Sequence, residues 1–283
     1  MNFISKNRSQ EDFELLAKIC YDTLVQDIDG KQHSDDFCGI YVEGRDREIN
    51  HVEDLAAAHS FKIFSEYNYP YFIFSPNSNN LLSNNPRYKN TRIEHIKIPV
   101  QDSHDKYSRF MIKDIWEYLP KQFENLLFFQ ADGFLIKNGW EEFVLNNNLK
   151  YAGSAWCHTP SIDIYQNNEW RNLNFPKVQC GNGGFSFRSR NSCEKISSIY
   201  SKFTLRETGS EGTRVPEDLF YSHLINGTEG GVADLRQCMK FSLDPISLSE
   251  YNDKLSYGFH YPQKTNAYQA YRNRFLSHSN VNY

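Results

Sequence analysis

Four stretches of this 283-residue sequence hold residue types whose spacing could do chemistry. Gln130-Ala131-Asp132-Gly133 follows the apolar run Leu126-Leu127-Phe128-Phe129, and Asn182-Gly183-Gly184 opens the alternation Phe185-Ser186-Phe187. Glu217-Asp218 follows Pro216, and His260 closes Gly258-Phe259-His260. One carboxylate at a strand end, a distant acidic pair and a late imidazole can combine into a divalent-cation site plus a general base. A hard cation such as Mn²⁺ or Mg²⁺ takes carboxylate and imidazole and keeps positions for phosphate oxygens. It would then assist departure of a diphosphate as a Lewis acid. A carboxylate in a helix's first turn stays ionised near pH 7 and can accept a hydroxyl proton, although the dipole weakens it as a base. Each piece alone also has a plainer reading. Asp-Gly punctuates turns, paired acids complement a helix dipole, a histidine between Phe and Tyr suits a core, and glycines suit turns. Their conjunction and order point to chemistry.

The elements that must position these residues alternate. Phe37-Cys38-Gly39-Ile40-Tyr41-Val42 reads as a first strand, closed by Glu43-Gly44-Arg45 in a loop that suits either a nucleotide or phosphate contact or plain solvation. Helical spacing predicts a capped helix over Ser9–Ile28, a second over His51–His59 and a third over Tyr107–Leu119, which Pro120 ends. Strands are expected at Phe61–Phe64, Tyr71–Phe74 and Ile93–Val100, with an Asn/Ser/Pro-rich loop over Ser75–Asn90. Leu126–Phe129 suits a central strand buried on both faces, and ligands of such sheets bind beyond the carboxyl ends of the strands. Tyr151–Trp156 reads as a short strand and residues 191–203 as a helix, whereas 159–178 and 204–213 read as loops. Pro216 followed by two acids starts a further helix. Strands alternating with helices of 10 to 15 residues predict an α/β domain with a mixed, mostly parallel central sheet flanked by helices.

Composition narrows the function classes. A net charge of -4 exerts no global pull on nucleic acid or anionic membrane. No stretch approaches 18 consecutive apolar residues, and the sequence begins without an apolar signal core, so a cytoplasmic protein is expected. The six cysteines show no Cys-x-x-Cys pair and read as free thiols.

Taken in order, these residues resemble the nucleotide-sugar-dependent glycosyltransferases of the GT-A fold, a single Rossmann-like domain. Gln130-Ala131-Asp132 stands where that fold carries an Asp-x-Asp motif. Gly183-Gly184-Phe185-Ser186, Glu217-Asp218 and His260 are similar to the β-1,4-galactosyltransferase pattern. A closer resemblance is to a GT-A-like family of bacterial glycan clusters and large viruses. Its motifs are matched by Val42-Glu43-Gly44-Arg45, by Tyr107, Arg109 and Trp116, by Gln130-x-Asp132 and by Tyr151-x-Gly153-x-x-Trp156. Gly181 to Arg188, Glu217-Asp218 and Gly258-x-His260 match the remainder. The resemblance spans residues 37–265 and leaves a lead-in of 1–36 and a tail of 266–283. Ala155 departs from the family's Pro before Trp156, and Gln130 replaces the first acid with a neutral amide.

The resemblance implies a hexosyl- or pentosyltransferase using a nucleotide-sugar donor, with a UDP-sugar favoured, and Mn²⁺ or Mg²⁺. It places Glu43, Arg45, Arg109, Gln130, Asp132 and Lys264 at the donor. Asp132 and His260 would hold the metal, and Trp156, Asn182, Gly183 and Gly184 would line the sugar and acceptor. Asp218 becomes the base of an inverting transfer, with Glu217 orienting the acceptor. The acceptor would be a glycan or glycoconjugate; a hydroxymethylated DNA base in a viral setting is the alternative. A non-catalytic nucleotide-sugar or glycan-binding module is a further alternative, kept open by Gln130.

Overall fold

The computed structural model describes residues 36–49, 60, 69–77, 92–130, 133–135, 139–156, 159–173, 175, 178–200, 202–210, 215–243 and 256–260. The helices expected at Ser9–Ile28 and His51–His59, the strand at Phe61–Phe64, most of the Ser75–Asn90 loop, and both Asp132 and Lys264 lie outside these residues.

The central sheet begins with β1 (Phe37–Val42), β2 (Tyr71–Ser75) and β3 (Ile93–Lys97), the last shorter than its sequence suggested. Next come α1 (His104–Arg109), a π-helical turn (Phe110–Asp114) and α2 (Ile115–Tyr118). Then follow β4 (Asn125–Phe129), β5 (Gly133–Leu135), α3 (Trp140–Asn146) and β6 (Tyr151–Ala155). Six strands form the sheet in the order β3-β2-β1-β4, then β9 (Cys180–Ser189), then β6. The first four are mutually parallel, and β9 runs antiparallel to both β4 and β6.

Leu126, Leu127, Phe128 and Phe129 are at most 2% exposed, as expected for a strand covered on both faces. Each contributes roughly 1.5–3 kcal/mol through burial. From β1 the chain steps outward through β2 and β3, then returns to the other flank of β1 as β4. The strand order therefore reverses between β1 and β4. In open α/β sheets the crevice beyond the carboxyl ends at such a reversal is the usual ligand position. Glu43 leaves β1 and Gln130 leaves β4 at that crevice. Because β9 is antiparallel, its beginning, Asn182-Gly183-Gly184, arrives at the same end.

Helices α4 (Arg190–Tyr200), α5 (Glu217–Thr228) and α6 (Leu235–Phe241) pack around the sheet. The π turn orients them. Its wider backbone bonding leaves the Met111 and Ile112 carbonyls open to side chains. Tyr221 Oη of α5 donates to them at 3.0 and 2.8 Å, Trp116 Nε1 donates to Ile112 O at 3.0 Å, and Ser197 Oγ of α4 donates there too. These bonds tie the π turn to α4 and α5.

Two small sheets correct the sequence reading. Residues 159–178 hold a hairpin, β7 (Ile162–Gln166) and β8 (Glu169–Asn172), and β10 (Leu205–Glu207) from the second expected loop pairs with β7. The hairpin turns at Asn167 and Asn168, with φ of 53° and 64°, a left-handed conformation that Asn tolerates. Its core-facing residues, Ile162 and Ile164, flank Asp163 in a short alternation that polar neighbours obscure. The second sheet joins β5 to β12 (Gly258–His260) and β11 (Ser242–Leu243), and places His260 opposite Gly133. Helix α6, which the sequence reading did not assign, starts with an Asp234/Gln237 capping box. Cys38, Cys180, Cys193 and Cys238 are buried free thiols, as expected. Among the described residues no helix is long and apolar enough to cross a membrane.

Candidate active site

Two consecutive glycines of β9 form a thin partition. A Cβ built on Gly184 would collide with the His260 imidazole and lie 3.0 Å from Gln130 Oε1. A Cβ on Gly183 would point the other way, 2.6 Å from Glu217 Oε1, 3.0 Å from Arg188 and 3.4 Å from the Asp218 Cβ. Successive strand residues face opposite sides, so one glycine admits the histidine and the other the acidic pair. Residues distant in sequence thus meet across a single strand.

On one side, the Gln130 N–H donates to Gly184 O at 2.9 Å, and Gln130 Nε2 donates to Tyr107 Oη at 2.8 Å. With its nitrogen engaged, the amide turns Oε1 towards Gly184 and His260. His260 is only 3% exposed. A carbonyl-type oxygen and an imidazole converging on bare backbone are ligand types a hard cation accepts. Among the described residues no three His, Cys, Asp or Glu side chains converge as a metal site. Asp132, the remaining expected ligand, lies outside them, and its chain neighbour Gly133 pairs with His260.

On the other side, Pro216 precedes α5 and places Glu217 and Asp218 in its first turn. Glu217 is buried and faces the Arg188 guanidinium at 3.5 Å. Asp218 is half-buried; its carboxylate accepts from Leu219 N–H at 2.8 Å and from Gly183 N–H. Burial, and then the negative charge of Glu217, push the Asp218 carboxyl up to about 7, against the opposing pull of Arg188 and the backbone donors. The helix dipole was expected to weaken this base; desolvation and a like charge outweigh it. Tyr107 bridges the two sides. Its phenol is pushed up by burial and then by the charge of Glu217, with Arg188 and Glu43 also in range.

At the end of β1, Glu43 is 4% exposed and holds two arginines. Arg45 donates to it from Nε at 2.8 Å, from a terminal nitrogen at 2.7 Å and from its backbone N–H at 2.9 Å, and Arg47 Nε donates at 2.6 Å. Burial acts to raise the Glu43 carboxyl, but the Arg45 hydrogen bonds and the charges of Arg47 and Arg45 hold it below the usual carboxylate range. Arg45 and Arg47 stay partly open to solvent, with side chains 35% and 20% exposed.

Trp156 packs its ring where a Gly181 side chain would stand, and Asn182 Oδ1 accepts from Gly184 N–H at 3.4 Å. Both therefore border the glycine partition. Arg109 does not join this group. It is exposed on α1 two residues from Tyr107, hence on the opposite side of the helix, and its charge acts on Tyr200. A cavity of about 500 Å³ opens at the other end of the strands, beside Asn125, Lys150, Ser189 and Glu229. There Glu229 is already paired with Lys150 and Lys195.

Arg47 escaped the sequence reading, which placed Arg188 in a motif without giving it a role. Arg188 carried a signal: a cation two residues past Ser186 in a strand flanked by phenylalanines must meet an anion once buried.

Residues 90–260 match the model of a family described as "Protein of unknown function (DUF5672)". The chain belongs to this family. No curated protein matches it. Among solved structures, the galactosyltransferase LgtC in complex with donor and acceptor sugar analogs is 12% identical, with a TM-score of 0.46, covering 85% of this chain and 94% of that one. Core-mannan synthase A from Aspergillus fumigatus, in a Mn/GDP form, is 9% identical, with a TM-score of 0.43 and 75% of each chain covered. Mouse xyloside xylosyltransferase 1 is 12% identical, with a TM-score of 0.40, covering 79% of this member of the family and 96% of the mouse chain.

Proposed function

We propose that this chain is a GT-A-type glycosyltransferase that moves a sugar from a nucleoside-diphosphate donor to an acceptor hydroxyl with inversion. The observation that carries this reading is the Gly183-Gly184 partition, with Glu217 and Asp218 on one side and Gln130 and His260 on the other. It lies in the crevice where the strand order reverses. The donor's diphosphate extends from Arg45 towards Gln130 and His260. Asp132 and His260 would hold a Mn²⁺ or Mg²⁺, with Gln130 Oε1 beside them. When bound, the cation neutralises charge developing on the leaving diphosphate.

The chain's own part is the proton. As the acceptor oxygen bonds to the anomeric carbon, its proton passes to the Asp218 carboxylate. The anomeric C–O bond breaks, and its electron pair leaves with the diphosphate. Attack opposite the leaving group inverts the centre. A carboxylate raised to about 7 is a stronger base than an ordinary aspartate and is still largely ionised just above neutrality. Glu217 orients the acceptor, and Trp156 and Asn182 line the sugar.

A thermal-shift screen of nucleotide sugars with and without Mn²⁺ identifies the donor, because a ligand of the folded state raises its stability. Transfer is then measured for the wild type and for Asp218→Asn. The substitution is expected to abolish transfer while donor binding stays nearly intact. Turnover retained in the variant would sink the assignment.

A further inference from the structure

Arg188 has no part in that mechanism, yet its position in β9 is unusual. Its side chain is fully buried, and neither terminal nitrogen has a hydrogen-bond partner. Nε donates to Ser186 Oγ at 3.2 Å. The guanidinium carbon lies 4.4 Å from the centre of the Phe128 ring, 5.4 Å from that of Tyr221 and 5.7 Å from that of Tyr151. Aromatic faces attract a cation but carry no net charge. A guanidinium cannot shed its proton in this setting, so a buried one requires an anion. Glu217 supplies it at 3.5 Å.

Asp218 is placed differently. Its carboxylate is turned to the N–H groups of Leu219 and Gly183, and it is the more open of the two acids. Two adjacent, desolvated carboxylates resist carrying two charges together, so the first charge settles beside the cation. Tyr107, Tyr151 and Tyr221 also face the pair, and Cys193 faces Arg188. Burial raises each of these acids, so all four are neutral at working pH.

We propose that Arg188 is a positioning residue: it holds the negative charge of the acidic pair on Glu217, so that the exchangeable proton belongs to Asp218. This rests on the glycosyltransferase reading only in making that proton the acceptor's. Arg188 assigns the roles of two neighbouring acids that the sequence leaves interchangeable.

Carboxyl carbon NMR titration of the full chain tests the assignment. In the wild type, the Asp218 resonance is expected to titrate near neutrality. In Arg188→Met the Asp218 step should move to higher pH. The acidic limb of the pH–rate profile should also shift to higher pH, by about one unit or tenfold in proton concentration. Arg188→Lys should restore the wild-type midpoint. An unchanged Asp218 titration in Arg188→Met would overturn the proposal. If that variant fails to fold, Glu217→Gln provides the test: Arg188 then acts on Asp218 alone, and its midpoint should fall by about one pH unit. An unchanged midpoint would also overturn it. An active Asp218→Asn enzyme would remove the base assignment, whereas the carboxyl titrations report the proton's location with or without turnover.

Discussion

Two carboxylate centres share the crevice with inverted charge ratios. At the end of β1 one acid, Glu43, is held by two cations, Arg45 and Arg47. At the start of α5 two acids, Glu217 and Asp218, face one cation, Arg188. Both centres are buried, so burial alone does not set their chemistry. The surplus of cations lowers Glu43 and leaves partly open guanidinium groups suited to phosphate. Burial together with the surplus of acids raises Asp218 and leaves a carboxylate suited to accepting a proton. The crevice is therefore polarised, with a cation-rich end and an acid-rich end set by counting charges.

The strongest challenge to this contrast removes the surplus acid. Asp218→Asn should lower turnover by about 10²- to 10⁴-fold, the usual contribution of a general base. It should also stabilise the protein at pH 8. The Asp218 carboxyl is raised in the folded state from its ordinary 3.8 to about 7, so the native state binds the proton more tightly. Its contribution to stability is full below the lower value and is lost as pH rises through the upper one. Thermal melts at pH 5 and pH 8 should show the variant's advantage growing with pH, smaller at pH 5 than at pH 8.

At the opposite end, Arg45→Gln should raise the donor KM roughly tenfold with little change in kcat, as expected for loss of one charge-assisted contact. An equal fall in kcat would place Arg45 at the reacting atoms instead. The two ends should also separate by pH. In the wild type, kcat should rise with pH through about 7 as Asp218 loses its proton. Donor affinity should stay flat over that range, because Glu43 remains ionised below the ordinary carboxylate value. Isothermal titration beside pH-dependent kinetics checks both.

Glu141 extends the comparison to a buried acid with no arginine or lysine among the groups acting on it. Burial raises its carboxyl to about 7, against the Tyr69 hydrogen bond and backbone donors. Its contribution to stability, like that of Asp218, declines as pH rises through that value. Glu141→Gln should therefore increase Tm at pH 8 by about 2–4 °C, the shift that accompanies about 1 kcal/mol in a domain of this size. The gain should be smaller at pH 5, close to the ordinary Glu value of 4.5.

Much of the central sheet was legible because its signals are local. Buried β4 is a continuous apolar run, and α5 begins with Pro216 and two acids. The β7–β8 hairpin was missed because Ile162 and Ile164 are too few apolar residues to outweigh the polar chain around them, and β10 is shorter still. Within the site, the sequence named Gln130, Gly183, Gly184, Glu217, Asp218 and His260, which the fold brings to one partition. It could not name the partners. Arg188 meets Glu217 across 29 residues, and Gln130 meets Tyr107 across 23, distances set by strand order rather than by any periodicity. Nor could it separate Arg109 from Tyr107, since their opposition depends on the helix phase.

The π turn adds a residue to this helix without changing that phase. Segments α1 and α2 form one continuous helical rod through Phe110–Asp114, where the Ile115 N–H reaches back five residues to Phe110 O. A π turn holds one residue more than an α turn, and each α-helical residue rotates the chain by about 100°. Deleting a single residue there would let an unbroken α-helix form. One turn then replaces another, so the amino-terminal half of the rod would keep its phase and Tyr107 its side of the helix. The Met111 and Ile112 carbonyls would instead lose their places before Tyr221, Trp116 and Ser197. The surplus residue thus anchors the rod to α4 and α5 and leaves the angular alignment of the crevice untouched.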